Sequence, residues 1–167
     1  TITINNQLHK VDGKATIVDF LQGDTPEVTF DLTPVFEGFL KTSKRKFTKE
    51  SNTSLLIDDS IEINESTETI TWQLITTFDI DITKEGATIS KPEYSSVTPV
   101  KKLFVENLSH PDIKMNIVSL DPPPLELDRR IEGLKRLELN IPSSLVTRGK
   151  IDIKIRLKGQ KNWREGY

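Results

Sequence analysis

Apolar and polar residues alternate one for one along several stretches of this chain, and that period admits few folds. In an extended strand successive side chains point to opposite faces, so a period of two separates a buried row from a wet one. The longest example is residues 70–82. Ile70, Trp72, Leu74, Thr76, Phe78, Ile80 and Ile82 hold the even positions, and Thr71, Gln73, Thr77, Asp79 and Asp81 lie between them. The run is one long strand or two joined by a bend. At ~3.3 Å per residue a single strand reaches about 40 Å, longer than an ordinary strand, so a bulge near residues 75–77, or an arm beyond the core, is expected, with the bulge preferred. Ile151, Ile153, Ile155 and Leu157 alternate with Asp152, Lys154, Arg156 and Lys158. Leu137, Leu139 and Ile141 do so with Arg136, Glu138 and Asn140, and Ile113, Met115 and Ile117 with Asp112, Lys114 and Asn116. Shorter versions are Val28, Phe30 and Leu32, then Ile61 and Ile63, then Leu103 and Val105. Abundant Ile, Thr and Val suit the same pleated surface.

Helical periodicity is weak, because no window sustains apolar positions at i, i+3, i+4 and i+7 behind a cap. Two short candidates remain: residues 35–40 after Thr33 and Pro34, and residues 128–135, which Gly133 weakens. The expected fold is therefore mainly β, an antiparallel sandwich of two small packed β lobes with little helix. Residues 90–99 are polar and proline-marked, and place a boundary between an N-terminal β-rich domain (1–92) and a C-terminal β domain (97–159), followed by a tail (160–167). Asp121-Pro122-Pro123-Pro124 makes a stiff break between strands, since consecutive prolines lack N–H donors. Residues 41–52 are polar and basic and read as an exposed loop.

From residue 100 onward, strands separated by turns have the spacing of a sandwich or barrel. Leu103-Phe104-Val105-Glu106-Asn107, a following strand, the triple-proline break, Leu137-Glu138-Leu139 and residues 151–157 resemble the meander of Ig-like domains in adhesion, surface and virion proteins. The resemblance implies an Ig-like fold without the disulfide and buried tryptophan of antibody domains. Residues 2–21 resemble the first hairpin and helix of β-grasp proteins such as sulfur carriers and plant-type ferredoxins. Those families need a C-terminal Gly-Gly or a cysteine cluster, and this chain has neither. A generic hairpin turning at Asp12-Gly13 is the expectation there.

Charge narrows the partners. Lys plus Arg number 23 against 25 Asp plus Glu, a net charge of −2, so no global field draws the chain to nucleic acid or an anionic bilayer. No apolar run is long enough for a membrane helix. No charged start leads into an apolar core as in a signal peptide, so a cytoplasmically made product is expected, with a removed signal as the alternative. The absence of cysteine excludes disulfide scaffolds, iron–sulfur centres, thiolate zinc sites and cysteine enzymes.

Candidate chemistry is sparse. Asp79, Asp81, Thr83, Glu85 and Gly86 resemble part of a calcium loop, where oxygen ligands recur at alternate positions. Thr83 replaces an expected Asp or Asn, the glycine comes late and the twelfth position lacks Glu, so a strand's wet face running into a turn is expected instead. His9 and His110 are the two histidines. His110 with Ser109 and Asp112 lacks a nucleophile elbow and reads as a turn opener. Asp58 with Asp59, and Glu62 with Glu65, read as solvated charges. Sequons at Asn52, Asn64 and Asn107 are no more than chance supplies in a chain so rich in Ser and Thr. No catalytic residue, metal site or cofactor is therefore expected.

Two clusters suggest partner contact. Lys44, Arg45, Lys46 and Phe47 sit in the densest basic stretch, flanked by Lys41 and Lys49; one aromatic is too few for a base-stacking platform. Trp163, Arg164 and Tyr167 supply the tail with residue types enriched at interface hot spots. These features point to a non-enzymatic structural or interaction protein bound to other protein subunits of an assembly. The expected setting is a virion, as a bacteriophage capsid-decoration or tail/baseplate component. The alternative is a surface or periplasmic Ig-like adhesion or carbohydrate-binding module.

Overall fold

Twelve strands occur among the residues that the computed structural model describes, which are 1–7, 9–91, 101–126 and 128–160. They are β1 (Ile2–Ile4), β2 (Thr16–Leu21), β3 (Glu27–Asp31), β4 (Leu40–Ser51), β5 (Ser54–Ile63), β6 (Thr69–Thr76), β7 (Asp79–Ile82), β8 (Gly86–Ser90), β9 (Lys102–Asn107), β10 (Asn116–Ser119), β11 (Lys135–Pro142) and β12 (Lys150–Gly159). The strands form two antiparallel sheets in a sandwich-like arrangement. The smaller has the order β1-β6-β11-β10, the larger β2-β3-β4-β5-β12-β9-β8-β7. Both sheets combine strands from before residue 92 with strands from after residue 97.

The alternating rows form the core. Ile57 and Ile61 of β5 and Ile151, Ile153 and Ile155 of β12 are buried on the larger sheet; Ile2, Ile4, Ile70, Trp72, Leu137, Leu139 and Ile141 are buried on the smaller. Burying each such side chain contributes about 1.5–3 kcal/mol. Gly86 begins β8 at φ +148°, where a Cβ would stand 2.1 Å from the Val105 carbonyl oxygen of β9. Only glycine lets these two strands approach so closely.

Several expectations need correction. Residues 70–82 are two strands, the alternative to the preferred bulged strand: β6 ends at Thr76 in the smaller sheet, and β7 is the far edge of the larger. The Phe78 amide donates to Thr76 Oγ1 at 3.0 Å as the chain crosses between sheets. Periodicity missed the crossing because the even residues keep their apolar phase through it. The hairpin expected at Asp12-Gly13 does not join β1 to β2, which pair with β6 and β3 in different sheets. Asn5 and Asn6 take positive φ after β1, and Asn5 Oδ1 accepts from the Glu68 and Thr69 amides, so the chain is turned away there.

The basic segment 41–52 is not a loop, because it lies almost wholly within β4, paired on both sides. Residues 35–40 hold no α-helix; a single 3-10 turn spans Thr33–Phe36, with proline in its first positions. No helix occurs among the described residues of 128–135 either. The strand expected over 113–117 starts later, at Asn116, although Met115 is buried.

Candidate interaction site

Strand register extends two side-chain rows across the larger sheet. One runs Ile17, Phe30, Arg45, Asp59 and Ile153; the other runs Phe20, Val28, Phe47, Ile57 and Ile155. A bulge between Ile17 and Asp19 brings Ile17 and Phe20 to the same face. Exposure falls steadily along each row. Ile153 and Ile155 are 0% exposed, Phe30, Val28 and Phe47 are half-buried, and Ile17 and Phe20 reach 62% and 59%. Four strands cannot roof eight, so the inner face of β2 and β3 and part of β4 projects as an apolar shelf.

At the inner end of the shelf is an open cleft of about 310 Å³. Phe30, Leu32, Val35, Phe36 and Phe47 form its apolar walls, with Thr1, His9 and Arg45 as polar members. The Phe30 and Phe47 rings meet edge to face at 6.0 Å, and His9 meets Phe36 likewise at 5.1 Å. The 3-10 turn brings Val35 and Phe36 to the wall. Gly13 lets the preceding loop lie against it, since a Cβ there would stand 2.8 Å from Val35 Cα. His9 Nε2 is 2.6 Å from the Ile2 carbonyl oxygen, which ties the same loop to β1.

Arg45 is held from beneath. Its Nε donates to Asp59 Oδ1 at 2.6 Å and its Nη2 to Asp59 Oδ2 at 2.7 Å, with side chains 12% and 0% exposed. A bidentate guanidinium–carboxylate pair satisfies two charges that could not be buried singly. The reading of Asp58 and Asp59 as solvated charges is thus corrected, since Asp59 is wholly buried beside this cation.

Lys44 and Lys46 alternate with Arg45 and Phe47, so the basic cluster is divided between the two faces of β4. On the wet face Lys46 pairs with Glu27 at 3.6 Å and Lys154 with Asp58 at 3.4 Å. Arg156 joins Glu50 at 2.7 Å and Glu106 at 3.2 Å. The Arg156 hydrogen bonds, helped by Ser54, hold the Glu50 carboxyl below the usual range, and Glu50 in turn raises the Arg156 pKa. Thr33 donates to Asp31 and lowers its pKa, with the Lys44 charge acting in the same direction. The face is a ladder of compensated charges.

Trp163, Arg164 and Tyr167 lie outside the described residues. The calcium-like run is the β7–β8 hairpin, closed by the Thr83 amide donating to Gly86 O at 3.0 Å. Among the described residues no group of three or more His, Asp or Glu side chains is arranged to hold a metal ion. His110 lies at a turn, with Nε2 3.1 Å from Asp152 O, and the Asn107 amide of one sequon is spent on His110 O and Ile113 O. Sequence reasoning missed Asp59, His9 and the shelf residues Ile17, Phe20 and Phe30 as a group. The apolar run Ile17-Val18-Asp19-Phe20-Leu21 was the available signal.

No family model matches the chain, and no curated protein matches it. Solved structures do share its fold. The heparan sulfate lyase HepC from Pedobacter heparinus superposes with a TM-score of 0.66 at 14% identity, over 95% of this chain and 23% of that one. A heparinase III gene product gives a TM-score of 0.66 at 11% identity, over 96% of this chain and 24% of that one. Another heparinase III structure gives 0.60 at 11% identity, over 95% and 23%. The chain spans about a quarter of the length of these proteins. The virion setting and the non-enzymatic reading are overturned by this likeness, since the solved structures that share the sandwich are a heparan sulfate lyase and heparinase III.

Proposed function

We propose that this chain is the β-sandwich portion of a polysaccharide-lyase-type enzyme acting on an acidic polysaccharide of the heparan sulfate class. The single observation that carries this reading is the superposition of nearly the whole chain on one part of several such enzymes. The compensated wet face supports a scaffolding role for the sandwich, because a sulfated polymer is attracted by cations in excess, and here Lys46, Lys154 and Arg156 are already paired. An extracellular or periplasmic setting suits a substrate too large to enter a cell. We also read the second half as Ig-like in its arrangement, supported by its division between sheets, with β10 and β11 in one and β9 and β12 in the other.

A lyase cleaves by elimination and leaves a carbon–carbon double bond in the product, so ultraviolet absorbance tests the reading. The polypeptide that carries this chain, incubated with heparan sulfate, is expected to release unsaturated oligosaccharides. No release across a panel of acidic polysaccharides overturns it.

A further inference from the structure

We propose that the outer face of the smaller sheet binds an uncharged saccharide, at a patch centred on Gln73, Glu138 and Arg136. Strand register sets three cross-strand rows on this face, turned away from the core. Thr3, Thr71 and Asn140 form the first, Gln73, Glu138 and Asn116 the second, and Ile75, Arg136 and Val118 the third. At ~4.8 Å between strands and ~6.7 Å between alternate residues, the rows cover about 10–14 Å across the strands and about 13 Å along them, room for a short oligosaccharide. The polar side chains fix one another. Arg136 Nε donates to Glu138 Oε1 at 2.6 Å, and Asn116 Nδ2 and Asn140 Nδ2 donate to Glu138 Oε2 at 3.2 and 3.3 Å. Asn140 Nδ2 also donates to Asn116 Oδ1 at 3.0 Å, and Thr71 Oγ1 donates to Asn140 Oδ1 at 2.7 Å. Groups held in place before a ligand arrives lose little freedom when it binds.

Gln73 is the group that this network leaves out. It is 8% exposed and stands directly opposite Glu138, yet among the described residues its carboxamide makes no hydrogen bond. A largely buried amide without a partner is costly unless something outside the chain completes it. Arg136 spends only its Nε within the network, which leaves the Nη1 and Nη2 donors for a ligand. A carboxamide donates and accepts at once, as does a pair of neighbouring hydroxyls on a sugar ring, so the two satisfy each other. Ile75, 53% exposed and opposite Arg136, offers apolar surface to the C–H face of the same ring. An anionic polymer fits less well, because the Glu138 carboxylate holds the centre of the patch and balances Arg136. The outer face of the larger sheet differs in kind, being a ladder of long, ion-paired side chains. The inference is independent of the lyase reading, whose substrate is acidic.

The isotopically labelled chain is titrated with cellohexaose, xylohexaose, mannohexaose and maltohexaose, and with a heparan sulfate hexasaccharide as the charged comparison. The side-chain amide signals of Gln73, Asn116 and Asn140 report on the patch by nuclear magnetic resonance. At least one uncharged hexasaccharide is expected to shift them, with a Kd of about 1 mM or lower. Gln73→Met keeps the length of the side chain and removes the amide, and should weaken that binding about three- to tenfold, the worth of a hydrogen bond or two. Gln73→Ala should do the same. Because the carboxamide bonds to nothing within the described chain, Gln73→Met should melt at the temperature of the parent. Lys154→Ala, on the outer face of the larger sheet, should bind as the parent does. No shift with any of the uncharged hexasaccharides overturns the proposal. So do shifts that survive both Gln73 substitutions, which would place the saccharide elsewhere. Binding of the heparan sulfate hexasaccharide alone overturns it too, since the patch would then be an anion site.

Discussion

Arg45 and Asp59 face each other across β4 and β5 in a two-pronged ion pair, and Asp59 has no exposed surface at all. The pair marks the line where the roofed core ends and the open shelf begins.

Removing one partner strands the other's charge in the interior, which costs about 3–5 kcal/mol, whereas replacing both with apolar residues of similar volume is often near neutral. Asp59→Leu alone and Arg45→Met alone are each expected to lower the unfolding free energy by about that amount, and the double substitution to recover most of it. Urea unfolding of the four proteins measures the coupling directly, and additive losses would contradict a mutual pair.

Acid should weaken the wet face through Glu50. Its folded pKa lies below the ordinary 4.5, so the carboxylate contributes stability that is complete above pH 4.5 and is lost as pH falls through the folded value. The group is partly exposed, so its share is below about 1 kcal/mol. Glu50→Gln should be slightly less stable than the parent at pH 7, and the difference should be smaller at pH 3. Urea midpoints at the two pH values decide this, and a constant difference would exclude the linkage.

Gly86→Ala should be costly, because the new methyl group would meet the Val105 carbonyl oxygen at 2.1 Å on a backbone that disfavours side chains. Parting β8 from β9 costs on the order of 3 kcal/mol or more. At Gly23, whose φ is also +148°, a Cβ meets nothing within 4 Å, so Gly23→Ala carries the backbone strain without the clash and should cost less. Thermal melts of the two variants give the comparison.

Depth beneath the smaller sheet sets the cost of truncation along one row. Ile153→Ala, at 0% exposure, should destabilise by about 2–5 kcal/mol, and Ile17→Ala, at 62%, by less than about 0.5 kcal/mol in the 167-residue chain. Similar losses at both sites would mean that the shelf is already covered.

Strand content was legible because side-chain period is a local property. The rows 137–141 and 151–157 lie where alternation placed them, in β11 and β12. Sheet membership was not legible. An apolar row reads the same whether it continues in one sheet or crosses to another, which is how Trp72 and Ile80 came to lie in different layers. Arg45 was legible as a cation and not as a buried one, since its partner is 14 residues away and is brought opposite by the β4–β5 register. The shelf was hidden for a related reason. Phe20 and Ile17 look like core residues in sequence, and only the mismatch between a four-stranded and an eight-stranded sheet leaves them uncovered.

The proposal that the sandwich is part of a polysaccharide lyase is tested most directly by following melting and turnover together. A polypeptide that carries this chain is heated with heparan sulfate present, in the parent form and with Ile153→Ala, while the sandwich is monitored by hydrogen exchange of β5 and β12. Activity should disappear at the temperature at which these strands open, and Ile153→Ala should lower both temperatures by the same amount. Turnover that continues unchanged after the sandwich has opened would contradict the claim.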